Sequence, residues 1–134
     1  MSYADQHSAI RARFNTAWGS RTPIAWPNVA FTPPTSASWV RFYLEDAGAN
    51  QQSMGDPGNN VYRHNGVVTV MIFSPVNTGE KEALALADHA TAVYRGWTGS
   101  GLRFRRPPFV RQIGPDRKWY HLNVLCPFER DSFF

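Results

Sequence analysis

The strongest strand pattern in this 134-residue sequence is Lys118-Trp119-Tyr120-His121-Leu122-Asn123-Val124-Leu125-Cys126-Pro127-Phe128. Side chains of a strand alternate between its two faces. One face of this segment therefore carries Tyr120, Leu122, Val124 and Cys126, and the other carries Trp119, His121, Asn123 and Leu125. Because the first face is apolar throughout, we expect it to pack against the core.

A partner strand precedes this segment. Residues Phe109 to Ile113 are rich in β-prone side chains, and Gly114-Pro115-Asp116-Arg117 has the composition of a turn. The sequence therefore predicts a β-hairpin at its C-terminal end, against which the earlier elements pack.

Two helices are predicted before the hairpin. Ser2 and Asp5 have the spacing of a capping box, and Gly19 is suited to end the first helix. Its apolar stripe is predicted to comprise Tyr3, His7, Ile10, Phe14, Ala17 and Trp18. Asn77 or Thr78 is expected to cap the second helix, and Gly96 to end it. Its stripe is predicted to comprise Ala83, Leu86, Ala87, Ala90, Val93 and Tyr94.

The remaining segments predict strands and connections. Val67 to Phe73 is apolar on both faces, as in a central strand, and Ser38 to Glu45 and Leu102 to Arg106 are further strand candidates. Residues 20–36 contain four prolines and are expected to lie extended. Residues 46–60 are polar and rich in glycine, which predicts a long exposed loop or arm.

This order of elements indicates an α+β fold. We expect a mostly antiparallel or mixed β-sheet with two helices packed on it and a closing hairpin, all in a single domain spanning residues 1–134. The unit from Val67 to Arg105 is compatible with a right-handed parallel crossover.

The composition of the sequence limits the classes of function that we expect. No apolar run is long enough to span a membrane, and no signal peptide is recognised, so we expect no membrane partner. The lone cysteine, Cys126, cannot form an internal disulfide and is expected to fill the core. Aromatic residues are frequent, at 14%, and charged residues sparse, at 18%. That balance suggests a surface covered by a partner.

The positive charge is concentrated near the C-terminus. Residues 1–100 contain seven basic and seven acidic side chains, whereas residues 101–134 contain seven basic and three acidic ones, which accounts for the net charge of +4. Twelve of the 14 basic residues are arginine, the residue suited to paired and stacked contacts at interfaces. Contact with another subunit and contact with nucleic acid both remain open on this basis.

Enzymatic chemistry leaves no signature in the sequence. The four histidines show no metal-ligand spacing, there is no GxSxG elbow, and the Gly-rich segment from Gly96 to Gly101 lacks the ending of a P-loop. We therefore expect no catalytic residue, no bound metal and no cofactor.

Nucleic-acid binding is the rival interpretation. Arginine and aromatic residues alternate in Arg103-Phe104-Arg105-Arg106, as they do in single-strand binding grooves. The small total charge and the missing RNP-type aromatic motif favour a solvated or subunit-facing strand instead.

The ordered features resemble the tail terminator proteins of long-tailed bacteriophages, and the resemblance covers nearly the whole chain. The resemblance rests on the Ala-rich second helix, on the closing strand from Trp119 to Phe128, and on four shorter segments. These segments are Ile10-Arg11-Ala12-Arg13-Phe14, Ala17-Trp18, Pro23-Ile24-Ala25-Trp26-Pro27-Asn28 and Phe73-Ser74-Pro75. Residues 46–60 match this pattern least well.

The resemblance implies a virion structural protein without enzymatic activity or cofactor. Such a protein is assembled in the host cytoplasm and forms a six-subunit ring at the head-proximal end of the tail. The ring caps the tail tube, stops its polymerisation and meets the head–tail connector or neck protein, while DNA only passes through its lumen. A head-completion or neck protein of the same virion, and a small basic nucleic-acid-binding module, remain the alternatives.

Nine residues are the candidates for contact with other subunits or with the tube. Four of them, Arg103, Arg105, Arg106 and Arg111, are expected to pair mostly across subunits or with the tube rather than with DNA, because strongly adhesive groups in the lumen would slow its passage. The other candidates are Trp39, Arg41, Tyr43, Trp119 and His121.

Overall fold

Two helices and seven strands lie within residues 2–133, the part of the chain that this computed structural model describes. The ends of the predicted domain, Met1 and Phe134, and the side chain of Asp116 fall outside that description. The elements are α1 (Tyr3–Trp18), β1 (Ile24–Ala25), β2 (Trp39–Gln51), β3 (Val61–Pro75), α2 (Lys81–Tyr94), β4 (Thr98–Gly99), β5 (Leu102–Arg103), β6 (Phe109–Asp116) and β7 (Trp119–Phe133).

One mixed sheet contains all seven strands of the described chain. Its order is β1-β2-β3-β7-β5-β4, and β6 pairs with β7 beside β5. β1 runs parallel to β2, and the other pairs are antiparallel. β3 and β5, which α2 connects, run in the same direction with β7 between them. The predicted α+β class with two helices and a closing hairpin is thus confirmed.

The closing hairpin differs from the prediction in its turn. β6 continues to Asp116, which pairs with Trp119, so the turn residues are Arg117 and Lys118 rather than Gly114 to Arg117. Gly114 instead lies at a register shift in β6, with φ of 99°. A backbone angle in this region is accessible to glycine at little cost, which explains its place at the irregularity.

Helix α1 begins and ends as predicted, but its buried stripe differs. Ser2 and Asp5 form a capping box, and Gly19 caps the C-terminus with φ of 63°. The buried residues recur every fourth position as Gln6, Ile10, Phe14 and Trp18. The predicted members Tyr3 and His7 are exposed, and the polar Gln6 is buried in their place.

Helix α2 buries the predicted stripe but starts later than expected. Its N-cap is Glu80, which makes no side-chain capping bond. The prediction that Asn77 or Thr78 caps it is wrong, because both belong to the preceding turn. Asn77 has φ of 65°, and the Thr78 hydroxyl donates to the carbonyl of Pro75 over 2.6 Å.

The core lies between the two helices and one face of the sheet. Phe14 is at its centre, with ring centroids 5.1 Å from both Trp18 and Phe42. The Tyr94 hydroxyl ties the helices together by donating to the carbonyl of Ile10 over 2.6 Å. Cys126 is fully buried, and burial raises the pKa of its thiol to about 12, so it is a thiol in the core as predicted.

Two predicted connections are more regular than their composition indicates, and one strand is shorter. β2 continues to Gln51, so residues 46–51 form a strand paired with β3, and residues 52–60 alone connect the two. Within the Pro-rich segment, Ile24 and Ala25 pair with β2. The strand predicted at Leu102 to Arg106 ends at Arg103.

Candidate assembly surface

The two faces of the sheet differ in what covers them. Both helices pack on the face that carries Val40, Val70 and Val124. We call the opposite side the open face. Directly paired residues project to the same side of an antiparallel sheet. The register therefore places three rows on the open face, which are Trp39–Phe73–His121, Arg41–Met71–Asn123–Arg111 and Tyr43–Thr69–Leu125–Phe109.

Stacked rings fill one end of the open face. The Phe73 ring lies 4.2 Å from Trp39 and 4.4 Å from His121 between centroids, and Trp119 meets Trp39 edge-on at 5.9 Å. Phe31 of the Pro-rich segment covers Trp39 at 5.1 Å. The structure thus brings the predicted residues Trp39, Trp119 and His121 together.

This aromatic end is internally packed rather than displayed. Trp39 is only 4% exposed, so Phe31, Phe73 and Trp119 already bury the ring that we expected to be available for contacts. Its principal role in the isolated chain is therefore to anchor the Pro-rich segment to the sheet.

The middle rows hold the more accessible candidates. Arg41 is exposed, with its guanidinium 5.6 Å from the Trp39 ring, and Tyr43 is half-buried beside Thr69. Arg111 is exposed on β6 and pairs in register with Asn123. These side chains line one continuous surface across β2, β3, β7 and β6.

The indole Nε1 of Trp39 and the amide Oδ1 of Asn123, both on the open face, are buried without a hydrogen bond inside residues 2–133. An unsatisfied buried polar atom costs about 1–3 kcal/mol. Side chains of the same chain already cover both atoms, so they are part of the packing of the open face rather than contact points on its surface.

The outer strand β6 exposes an apolar strip. Phe109, Val110 and Ile113 are 45%, 38% and 51% exposed. The register directs Phe109 to the open face and Val110, which pairs with Val124, to the opposite face, so β6 exposes apolar side chains on both sides of the sheet edge. Exposed apolar area of this kind is typical of a binding surface. The nine contact candidates predicted from the sequence, which are mostly arginines and aromatic residues, do not include these three.

Acidic and basic side chains meet at the other end of the open face. Arg63 Nε lies 2.9 Å from Asp131 Oδ1, and Arg103 bridges the two carboxylates at 3.2 Å from Glu129 and 3.2 Å from Asp131. Arg105 Nε lies 3.4 Å from Glu129. We call these five residues the ion-pair cluster.

The ion-pair cluster alters the protonation of Asp131 and the expected roles of the arginines. Hydrogen bonding from Arg63, followed by that from Arg103, lowers the pKa of Asp131 to about 2. Arg103 and Arg105 therefore have partners within the chain, and their predicted pairing across subunits or with the tube stays a prediction. Arg106 and Arg111 are exposed on the neighbouring surface.

A pocket of about 480 Å³ opens between the ion-pair cluster and β6. Val67, Leu125 and Pro127 of the open face are among its apolar lining, together with Phe109. The rim is basic and comprises Arg103, Arg105 and Arg106, with Glu129 beside them. This combination suits a segment that carries an apolar side chain close to a negative charge.

A buried polar cluster that the sequence reasoning missed lies on the helix side. Gln6 is completely buried and donates to Asp46 Oδ1 over 2.7 Å, while its own carbonyl oxygen accepts from Arg130, which is 2% exposed. Beside them, His64 Nε2 and Ser132 Oγ lie 2.7 Å apart. The sequence contained one indication of this cluster. Arg130 and Ser132 continue the even-numbered positions of β7, whose side chains face the core.

Metal-ligand clusters and membrane-spanning helices are both absent from residues 2–133. No three His, Cys, Asp or Glu side chains of this range are grouped so as to hold a metal ion. In the same range, no helix is both long and apolar enough to cross a membrane.

Known proteins resemble this chain in sequence family and in fold. A family model described as "Phage tail terminator protein" matches residues 6–128. One similar solved structure, whose name states no function, is 23% identical and superposes with a TM-score of 0.68 over 96% of each chain. At that identity the likeness supports the fold alone. No curated protein sequence matches the chain.

Proposed function

Because this chain belongs to the phage tail terminator protein family, we propose that it forms a ring that caps the tail tube and ends tube growth. The family makes it a structural protein of a phage tail rather than a member of an enzyme family. We further propose six subunits per ring, a position at the head-proximal end of the tail, and assembly in the host cytoplasm. Neither catalysis nor a cofactor enters this function.

The observation that carries the proposal is the open face with its apolar flank. A sheet covered by helices on one side only, with Phe109, Val110 and Ile113 exposed at its edge, leaves apolar area for a partner. Subunit or tube contacts on this face would bury that area.

A ring also needs two different surfaces on each subunit. Head-to-tail contacts join one patch to a different patch of the next copy, and they close when the rotation is right. The apolar strip and the pocket form one such patch. The second lies on an arm that consists of residues 45–51 of β2, 52–60 and 61–67 of β3, and whose outer strand is exposed throughout. Only the distal part of the arm, residues 48–64, forms this second patch, because the base of the arm lines the pocket.

Termination then follows from binding alone. One surface of the ring matches the end of the tail tube, whereas its opposite surface lacks the patch that the tube uses to add its next ring. Growth stops because the incoming tube subunit finds no complementary surface. The same opposite surface is then available to the head–tail connector or neck protein.

Ion pairs within the chain make some of its arginines less available to bind DNA. Glu129 and Asp131 form ion pairs with Arg103, and Glu129 also pairs with Arg105. These pairs partly neutralise the positive charge of the segment with the most arginines. A single-strand binding groove needs such arginines free for phosphate. This observation favours DNA only in transit through the lumen over a nucleic-acid-binding module.

The test combines a mass measurement with a functional assay. Light scattering at low and high salt, with negative-stain imaging of the same sample, reads ring formation. Added to polymerising tail tube protein, the chain is expected to give short tubes that carry a ring at one end. Tubes that grow to the same length with and without it would contradict the proposal. Binding to purified connector without any effect on tube length would instead indicate a head-completion or neck protein.

A further inference from the structure

We infer that the tip of the arm is a knob that inserts into the pocket of a second copy. Met54 and Asp56 of one subunit enter the pocket lined by Phe109, Leu125 and Arg106 of the next. This inference rests on the proposed ring and names the contact that joins its subunits. It assigns a role to the segment that the sequence pattern explained least.

The tip displays an apolar side chain next to a negative one. Met54 is 85% exposed, more than any other large hydrophobic residue of the described chain, and Asp56 is exposed two residues later. Methionine is flexible and polarisable, so it adapts readily to an apolar cavity. At this exposure Met54 makes little contact with its own chain, and its side chain is available to fill an apolar pocket.

Hydrogen bonds hold the tip in one shape. Gln52 N donates to Val61 O over 2.7 Å, and Val61 N donates to Ser53 Oγ over 2.8 Å. Asp56 N donates to Asn60 Oδ1 over 3.2 Å. Because the loop is ordered before it binds, insertion costs less conformational entropy than ordering a free loop would.

The pocket complements the tip in both shape and charge. Its apolar lining suits Met54, and a volume of about 480 Å³ leaves room for neighbouring loop residues. Arg106 is exposed on the rim, and the side chain of Arg105 is 66% exposed. The one acidic lining residue, Glu129, already has Arg103 and Arg105 within 3.2 Å and 3.4 Å, which limits its repulsion of Asp56.

The tip cannot reach the pocket of its own subunit. Asn65 is the pocket-lining residue of β3 nearest to the tip, and Val61 at the base of the tip lies four residues away, which is about 13 Å in an extended strand. β7 pairs with β3 over that whole distance, from Asn65↔Glu129 to Val61↔Phe133, and keeps the arm straight. The occupant is therefore a second copy, and the contact is head-to-tail.

Cross-linking tests the contact directly. Met54→Cys in one preparation and Phe109→Cys in a second are mixed and treated with a short bismaleimide. Both positions are exposed, and the native Cys126 is fully buried, so the engineered thiols react selectively. The matched control replaces Phe109→Cys with Ala85→Cys, which is exposed on α2 on the other side of the sheet. We expect at least about five-fold more hybrid dimer with Phe109→Cys than with Ala85→Cys.

Charge reversal supplies a second measurement. In the Met54→Cys and Phe109→Cys backgrounds, Asp56→Arg alone and Arg106→Asp alone should each lower the cross-linked yield at least about five-fold. The two changes together should restore it to within about two-fold. Equal yields at the pocket and control sites, or no response to charge reversal, would overturn the inference.

The tube-capping assay separates this inference from the proposed function. Capped tubes without the specific cross-link overturn the knob-and-pocket contact and leave the terminator proposal standing. If tubes are not capped, the terminator proposal fails. In that case, cross-linking of concentrated protein still tests the contact. If the specific cross-link does not form there, the inference is overturned as well.

Discussion

Arg63 and Asp131 face each other across the β3–β7 ladder, with Arg63 Nε 2.9 Å from Asp131 Oδ1. This hydrogen bond is the main reason why the pKa of Asp131 falls from its ordinary 3.8 to about 2. The ion pair links the C-terminal end of β7 to the arm. It thereby stabilises β7, whose N-terminal end belongs to the closing hairpin.

Asp131 is expected to make folding depend on pH in the acid range. Because its pKa is lowered in the folded state, its contribution is present above pH 3.8 and is lost as pH falls towards 2. Asp131→Asn should lower the free energy of unfolding by about 1–2 kcal/mol at pH 7 and by much less at pH 2. Denaturant titrations at both pH values measure this, with the exposed Asp88→Asn as control. Equal losses at the two pH values would contradict the assignment.

Gln6 links the buried Arg130 to the exposed Asp46, and its removal should be costly. Gln6→Ala deletes an acceptor for Arg130 and a donor to Asp46. Loss of a partner of a buried charge predicts destabilisation of about 2–4 kcal/mol. Urea denaturation measures it, and the exposed Ser8→Ala on the same helix should change stability by less than about 0.5 kcal/mol. Similar small effects of both changes would show that the cluster is not important for folding.

His64 should give the protein a second dependence on pH, closer to neutrality. Burial, followed by the positive charge of Arg130, lowers its pKa from 6.5, and the carboxylates of Asp46 and Asp131 oppose this only in part. The unfolded chain therefore takes up the proton first, so this contribution to stability is present above pH 6.5 and is lost as pH falls below it. The free energy of unfolding should thus decrease between pH 7 and 5.

The variant His64→Gln isolates this effect. It removes the titrating group, so the slope of stability against pH between 7 and 5 should flatten, whatever its effect on stability at pH 7. His89→Gln, at an exposed position on α2, should keep the wild-type slope. An unchanged slope in His64→Gln would assign the pH dependence to another group.

Gly66 has no room for a side chain where β2, β3 and β7 meet. A Cβ atom there would lie 2.5 Å from Cζ of Phe128 and 2.7 Å from the carbonyl oxygen of Glu45. Phe128 is 4% exposed and cannot move aside freely. Gly66→Ala should therefore cost about 1–3 kcal/mol, measured by denaturant midpoint. Asn65→Ala, at the neighbouring position, should cost clearly less, and a reversed order would contradict this packing argument.

Local periodicity explains why much of the fold could be predicted. The alternation in β7 and the apolar continuity of Val67 to Phe73 depend on side chains adjacent in sequence, and both were confirmed. The extent of β2 could not be read in this way, because residues 46–51 are polar and exposed on the arm. Their strand structure comes from pairing with β3, which is a contact between distant residues.

The candidate surface was less predictable than the fold, for a physical reason. Whether an arginine or aromatic residue is available depends on what the register places beside it. Trp39 was expected at an interface, but Phe31 and Phe73 cover it. Arg103 was expected to pair mostly across subunits or with the tube, which stays a prediction, and the sequence did not reveal that β5 lies against β7 so that Glu129 is its direct neighbour. Composition carries no information about these pairings.

Arg111 is one of the arginines that are exposed on the open face. It is exposed on β6, in the row of Met71 and Asn123. Arg111→Glu reverses a charge at the surface, so the free energy of unfolding should change by less than about 0.5 kcal/mol. If the open face is a subunit or tube contact, the same change should lower the ring fraction or the tube-capping activity at least about ten-fold.

The control for Arg111 is Lys81→Glu, at an exposed position in the first turn of α2, away from the open face. It changes the net charge by the same amount and should leave assembly unaltered. Light scattering and the tube-capping assay read both variants. If Arg111→Glu assembles and caps tubes as the unchanged protein does, the open face around β6 is not the contact surface. If both variants fail equally, net charge controls assembly rather than this position.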